Sequence, residues 1–282
     1  MKYRPGPPAL SSIRLARLAA LAALALVATT ATAFARQEPE LVTDRPDQTE
    51  STAIVPPRRA QLELGVTFTR DDHRASRDES LELPGTLLRL GLDPRFELRL
   101  GWSGSIEQEI HAGGEHARAD GVGDAEVGVK VRLREGGGAS PAIALIAATS
   151  VPVGDDQFSS ERFDPSFRLS VSHDLPSGIG IGYNAGVEAA SEPASDGGHT
   201  TLTTAIYTLA AGFPAGDDWG LFVEVFGEVP MSADGGPVHL LDAGVTYLVR
   251  PHVQLDLAAG VGLSDDAPDW FAGMGVSLRF PR

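Results

Sequence analysis

The sequence contains no cysteine in its 282 residues. This absence excludes disulfide staples, thiolate nucleophiles and cysteine-ligated zinc together. Basic residues are also scarce, since 23 Lys and Arg stand against 38 Asp and Glu and the net charge is −15. Nucleic acid is therefore not a predicted partner, because a phosphate backbone selects basic surfaces.

The sequence also lacks an apolar run of the ~20 residues that a membrane-spanning helix needs. Its most apolar short run, Leu18–Val27, follows four basic residues and precedes the small residues Ala33 and Ala35. This order is typical of a secretory signal peptide, which we predict over residues 1–35. Its removal takes the basic residues from 23 to 19 and leaves a net charge of about −19.

Glycine is abundant, with 32 residues, and favours a β-rich chain with many turns. From residue 61 onward, apolar and polar residues alternate with period two, as in QLELGVTFTR and GDAEVGVKVRL. About twelve segments have the length and alternation of membrane-spanning strands. They lie near 61–70, 82–92, 96–104, 123–133, 141–152, 166–173, 179–188, 201–213, 219–228, 238–248, 253–261 and 269–280.

The links between these segments alternate between short and long. Long loops are predicted near 71–81, 105–122, 153–165, 189–200, 229–237 and 262–268. Tight periplasmic turns and longer external loops are typical of outer-membrane barrels. We therefore predict an all-β fold: a transmembrane antiparallel up-and-down β-barrel of about twelve strands over residues 61–282. Residues 36–60 would form a periplasmic N-terminal segment.

A soluble β-sandwich would alternate as well, but its apolar face would form the core. In a membrane barrel the apolar face meets lipid, and the charged and glycine-rich face lines the lumen. The export signal and a last strand that ends near Phe280 favour the membrane barrel. The predicted pore-lining residues are Glu63, Arg89, Glu97, Arg99, Glu126, Lys130, Arg132, Glu224, Asp242, Asp256 and Arg279.

The mixed signs of these charges predict ion pairs between neighbouring strands. Two interpretations stay open at this point. The charges could make a selective pore lining, or they could fill and rigidify a plugged barrel of small diameter.

The polar stretch TDRPDQTES, residues 43–51, precedes the first strand and has no apolar residue to bury. It could be a solvated leader. It could also enter the periplasmic mouth, where Asp44, Arg45, Asp47 and Glu50 would pair with lumen charges such as Arg89, Arg99, Arg132 and Lys130. We favour the second interpretation.

Several motifs in this order resemble the outer-membrane transporter family named for the MetA pathway of phenol degradation. They are TDRPDQTES, LLRLGLDPRFELRLG, GVGDAEVGVKVRL, ASPAIALIAATSVPVG and DAGVTYLVRPHVQLDLAAGVG. The resemblance covers nearly all of the mature chain. It implies an outer-membrane barrel that passes small molecules, hydrophobic or aromatic ones among them, with membrane lipid and the barrel-insertion machinery as partners.

No pattern in the sequence predicts an enzyme, a cofactor or a metal site. The seven histidines fall in predicted loops, turns or strand ends, and no G-x-S-x-G elbow occurs. His111 and His116, with Glu109 and Glu115 beside them, match no H-E-x-x-H motif and are interpreted as solvated loop charge. An outer-membrane hydrolase stays a minor alternative to the channel, behind a plugged barrel without conductance.

Overall fold

The computed structural model describes residues 40–73, 76–138, 140–176, 178–193, 198–232 and 235–280. The predicted signal peptide, residues 1–35, lies outside the described residues. In the described ranges, no helix is long and apolar enough to cross a membrane.

Fourteen strand segments in the described part of the chain form one antiparallel sheet. They are β1 (Ala60–His73), β2 (Ser76–Gly91), β3 (Phe96–Trp102), β4 (Ser105–Ala112), β5 (Glu115–Val122), β6 (Ala125–Arg134), β7 (Ala142–Val151), β8 (Pro165–Asp174), β9 (Gly180–Pro193), β10 (His199–Pro214), β11 (Trp219–Pro230), β12 (Val238–Arg250), β13 (Val253–Gly262) and β14 (Trp270–Phe280).

These segments combine into twelve strands around a closed barrel. Residues 86–91 of β2 pair with β3, and residues 76–83 of β2 pair with β4. Because β3 and β4 both lie beside β2, they are successive parts of one strand. β6 and β5 continue one another in the same way, since they pair with β3 and β4. β1 pairs with β14 from Ala60 opposite Phe280, which closes the sheet. The predicted barrel of about twelve antiparallel strands is confirmed.

The prediction of open loops at 71–81 and 105–122 is wrong. β1 and β2 pair as far as His73 opposite Ser76, and β4 and β5 pair as far as Ala112 opposite Glu115. In the third predicted loop, β9 extends to Pro193 and β10 begins at His199. Beyond the membrane both faces of a hairpin meet water, so the apolar alternation disappears while the backbone pairing continues.

The two faces of the barrel wall differ in the way that a membrane requires. The outward apolar side chains of Leu209, Leu257 and Met274 are each more than half exposed. Their strand neighbours Thr208 and Asp256, which point inward, are only 6% exposed. A soluble protein places these classes the other way round, so the arrangement excludes the soluble β-sandwich.

Candidate functional site

Residues 40–57, which we call the lumen segment, run inside the barrel at the end that carries the short turns. The segment contains no regular strand, yet Val55 is 1% exposed and Thr49 is 6% exposed. Its depth follows from its partners, which extend from Arg279 near the end of β14 to Glu224 in the middle of β11.

Side chains of the wall bind the backbone of the lumen segment. Arg89 Nη2 donates to the Ala53 carbonyl at 2.9 Å, and the Val55 amide donates to Glu97 Oε2 at 2.8 Å. Gln61 Nε2 donates to the Val42 carbonyl at 2.8 Å. An irregular segment inside a protein needs such partners, because an unpaired buried backbone group is costly. These hydrogen bonds from the wall therefore fix the backbone of the lumen segment in one conformation.

Asp44 lies at the centre of the charged contacts. Its Oδ2 atom is 2.6 Å from Arg99 Nη1, 2.7 Å from Lys130 Nζ and 3.1 Å from Arg89 Nη1. Its Oδ1 atom accepts from the Ser51 amide and hydroxyl at 2.9 and 2.6 Å. Burial alone would raise the pKa of this carboxyl, but the three cations hold it well below the ordinary value. Asp44 is therefore ionised in the folded protein.

The charges around Asp44 need the lumen segment for their balance. The wall supplies the three cations, and among the described wall residues Glu63 and Glu97 are the carboxylates in contact with them. Glu50 of the segment adds a carboxylate at 2.7 Å from Arg99 Nη2 and 3.5 Å from Lys130 Nζ. Without the segment this part of the wall would hold an uncompensated positive charge, which is costly to bury.

The Arg45 side chain lies against the inner face of the wall, over two glycines that are paired in neighbouring strands. Gly65 of β1 is paired with Gly275 of β14, and the Arg45 guanidinium lies against both. Its Nη2 atom is 3.2 Å from Asp256 Oδ1 and 3.3 Å from the Met274 carbonyl. A side chain at either glycine would occupy the space of the guanidinium, so the close approach requires glycine here.

The residues that follow Asp47 bind the opposite side of the wall. Thr49 Oγ1 is 2.6 Å from Thr208 Oγ1 and also donates to Glu224. The Glu50 amide donates to Asn184 Oδ1 at 2.7 Å, and Asn184 Nδ2 donates back to the Glu50 carbonyl at 3.1 Å. The lumen segment thus spans the barrel from β2 and β3 to β9, β10 and β11.

Asp47 lies in a different environment from Asp44, although only two residues separate them. Burial, followed by the nearby charge of Glu224, raises the pKa of Asp47 well above the ordinary value. The charges of Asp44 and Asp242 act in the same direction. Neither carboxylate oxygen of Asp242 has a hydrogen-bond partner among the described residues. This side of the lumen is therefore short of positive charge.

The predicted pore-lining residues do not all occupy one environment. Nine of the eleven are at most 6% exposed and lie in the inner wall. Glu126 is exposed, and with Ser150 and Glu188 it lines a cavity of about 270 Å³ near the external end. Arg132 is 3.5 Å from Glu135 in the turn after β6, and no contact with the lumen segment is found among the described residues.

An apolar patch occupies the inner wall beside Asp242 and Glu224. Phe226 is paired with Leu240, just as Glu224 is paired with Asp242, so the four side chains share one face. Phe271 packs edge-on against Phe226, with ring centroids 6.1 Å apart. Ala267, from the loop between β13 and β14, joins this cluster. Leu240, Ala267 and Phe271 are each at most 9% exposed, so the patch is an apolar cluster packed on itself beside the charged residues.

Sequence reasoning missed the uncharged partners of the lumen segment. These residues are Gln61, Ser172, Asn184, Thr208 and Gln254. Each lies on the polar face of a strand with period-two alternation, and this position indicates that its side chain points into the lumen. Because these five side chains carry no charge, a prediction based on charged residues does not include them.

A closed antiparallel barrel with an apolar outer surface and a charged, partly filled interior defines an outer-membrane β-barrel protein. The chain belongs to the family described as "Putative MetA-pathway of phenol degradation", whose model matches residues 43–280. The match begins at the lumen segment and ends at the last residue of β14.

Two solved structures illustrate the likeness of fold. An outer-membrane channel from Pseudomonas putida F1 is similar with a TM-score of 0.61 and 12% identity, over 81% of this chain and 98% of that chain. The translocator domain of the autotransporter NalP from Neisseria meningitidis is similar with a TM-score of 0.54 and 10% identity, over 79% and 88%. No curated protein matches the sequence.

Proposed function

We propose that the protein is a passive outer-membrane channel for small molecules, which the lumen segment closes on the periplasmic side in the conformation described. The observation that carries the proposal is the segment itself. It is a separate stretch of chain, joined to the wall by hydrogen bonds and ion pairs rather than built into a strand. If the segment moves, water can enter the lumen and solvate the polar and charged groups that the segment leaves.

The external half of the lumen supports the same proposal. The cavity of about 270 Å³ beside Glu126 has room for a small solute. The apolar patch around Phe226, Leu240 and Phe271 lies further along the inner wall. In a conformation that uncovers this patch, a small hydrophobic or aromatic molecule would lose water against it at little cost, since aromatic surfaces bury well against one another. Small aromatic solutes are therefore the proposed substrate class, in line with the phenol degradation of the family's description.

Conductance in planar bilayers tests the closure. Deletion of residues 43–51 should raise the single-channel conductance several-fold over the full chain, because the segment leaves the lumen. The matched control is Gln48→Ala, which changes an exposed side chain whose residue contributes only its backbone to the contacts with Glu224 and Arg168. Heat-modified electrophoretic mobility would show that each variant is a folded barrel. A folded deletion variant with wild-type conductance would overturn the closure.

A plugged structural barrel is the second candidate, and the same buried segment favours it. It predicts no conductance steps in the full chain, even where the folded deletion variant conducts, whereas the channel predicts conductance steps in the full chain as well. The two candidates therefore separate in one experiment.

Substrate preference is tested by flux into proteoliposomes. Phe271→Ala should slow the entry of a small neutral aromatic compound and leave that of a neutral sugar of similar mass unchanged. Met274→Ala, on the outward face of the same strand, is the control. An equal change for both solutes would count against the aromatic substrate class.

We propose that the protein acts as a channel and not as a hydrolase, and the similar fold of a solved outer-membrane channel supports this. We also propose the barrel-insertion machinery as a partner during biogenesis, because β14 ends in the outward Phe280.

A further inference from the structure

The tip of the β4–β5 hairpin brings two imidazoles and a carboxylate together outside the lumen. His111 and His116 are directly opposite each other in the two strands, and their rings stack with centroids 4.4 Å apart. Glu109 lies on the same face, two residues before His111. Its Oε2 atom is 3.9 Å from His111 Nε2 and 3.6 Å from His116 Nε2.

The distances among these three groups fit a metal ion. Bonds of about 2.0–2.1 Å to a tetrahedral zinc ion place neighbouring ligand atoms about 3.3 Å apart. The Oε2 atom of Glu109 therefore has to move only about half an ångström relative to each imidazole. One ligand atom from each residue already lies within 4.8 Å of the other two.

The backbone holds the two histidines in position. The hairpin turns at Gly113 and Gly114, whose φ angles are +59° and +89°. These values suit a two-residue hairpin turn that glycine adopts without strain, and the turn fixes the register of the strands. Ala112 is opposite Glu115, so Glu115 does not share the position of the histidines.

The surroundings leave one carboxylate oxygen of Glu109 for an ion. Arg118 Nη1 is 3.6 Å from the other oxygen, Oε1, and Arg118 also bonds Glu107. A hydrogen-bond partner on the second carboxylate oxygen orients a ligating carboxylate and leaves the first oxygen free to bind the metal. The side chains of His111 and His116 are 45% and 50% exposed, so water can complete the coordination.

The site faces outward from the barrel. Glu109 is paired with Glu79 and Glu79 with Arg70, which lies on the same face of β1 as Phe68. Phe68 packs against Trp270 at the apolar outer surface, with the two rings tilted by 41°. The histidines therefore lie on the external extension of the lipid-facing wall, where ions from the medium reach them.

We propose that Glu109, His111 and His116 bind a divalent transition-metal ion such as Zn²⁺ or Cu²⁺. Two imidazole nitrogens and one carboxylate oxygen suit these ions, whereas Ca²⁺ and Mg²⁺ take oxygen ligands. The site is independent of the channel and bridges the two strands of the hairpin.

Calorimetric titration of the full chain in detergent with Zn²⁺ tests the proposal. One ion should bind per chain, and His111→Asn or His116→Asn should lower the affinity by about tenfold or more, because even groups outside the ligand shell are worth 10- to 100-fold. His252→Asn, in the turn between β12 and β13 at the other end of the barrel, should leave the affinity unchanged. Retained affinity in the His111→Asn/His116→Asn double variant would overturn the proposal.

Electron paramagnetic resonance with Cu²⁺ adds a readout of the ligands. The spectrum of the full chain should show coupling to two imidazole nitrogens, and either single variant should show coupling to one. A spectrum that is the same in the full chain and both single variants would place the ion elsewhere and overturn the proposal.

Discussion

Asp44 and Asp47 carry the same functional group, and the wall gives them opposite roles. Asp44 contacts Arg89, Arg99 and Lys130, and it is the anion that these cations share. Asp47 is half-buried near Glu224, and no ion pair to it is found among the described residues. The ionised form of Asp44 stabilises the docked lumen segment, whereas the ionised form of Asp47 opposes it.

Asp44→Asn should lower the free energy of unfolding by about 3–5 kcal/mol, because it leaves buried cations without their partner. Asp47→Asn, the matched control in the same segment, should leave stability unchanged or raise it. Urea titration of the folded, heat-modifiable form measures both. Equal losses in the two variants would show that the charge of Asp44 has no special role.

The pH dependence follows from the two pKa directions. The lowered pKa of Asp44 gives stability that is present above the ordinary value of 3.8 and is lost as the pH falls through the native pKa. The raised pKa of Asp47 acts in the opposite direction. Its cost to the stability of the docked state is absent below pH 3.8, grows as the pH rises towards the native pKa of Asp47, and is complete above that pKa.

Conductance of the full chain should therefore rise with pH above about 4 more steeply than that of Asp47→Asn. Glu224, Asp242 and Asp44 also act on Asp47, and they are present in both proteins, so the difference between the two curves reports Asp47. Parallel curves would show that Asp47 does not titrate against the docked segment.

At the scale of the element, the lumen segment binds as one unit to strands that lie far apart in the sequence. Thr49 meets Thr208 and Thr52 meets Ser172, with hydroxyl oxygens 2.6 and 2.7 Å apart. Because the chain has no cysteine, two introduced cysteines can form only one intramolecular disulfide.

Thr49→Cys with Thr208→Cys should lock the segment in the lumen, since the close hydroxyls bring the two side chains within reach of a disulfide. Asp44→Asn should raise the conductance, because it weakens the docking of the segment. In that background, oxidation of the cysteine pair should reverse the gain and reduction should restore it. The single Thr49→Cys variant should not respond. Channels that conduct equally when oxidised and reduced would show that movement of the segment does not open the lumen.

Much of the element structure could be predicted from the sequence, for a physical reason. A strand between lipid and lumen must alternate, so period two located nearly all the spanning strands. The hairpin extensions at 71–81 and 105–122 could not be found in this way, because neither of their faces is apolar. The polar character of residues 43–51 indicated a role in the lumen. It did not indicate which of the acidic residues in the segment would contact cations of the wall. The positions of Arg89, Arg99 and Lys130 around Asp44 depend on the closure of the barrel.

At the scale of the whole molecule, the barrel separates an outer surface for lipid from an inner surface for solute. Glu126 and Val127 are neighbours on β6 and point to opposite sides of the wall. Both are exposed, Glu126 to the external cavity and Val127 to the outside.

Glu126→Gln should lower the preference for cations over anions, because it removes a negative charge that solutes meet in the cavity. Val127→Ala, which changes only the lipid-facing surface, should leave selectivity unchanged. Reversal potentials in a salt gradient measure both. Equal shifts would mean that the two faces had been assigned the wrong way round.

The lumen segment precedes every strand in the chain, yet it is bound by Gln254 and Asp256 of β13 and Arg279 of β14, which are synthesised last. The complete set of its contacts can therefore form only after the barrel has closed. A barrel that lacks β13 and β14 would leave the lumen segment without its partners on those strands, so a fully docked segment reports a completed barrel.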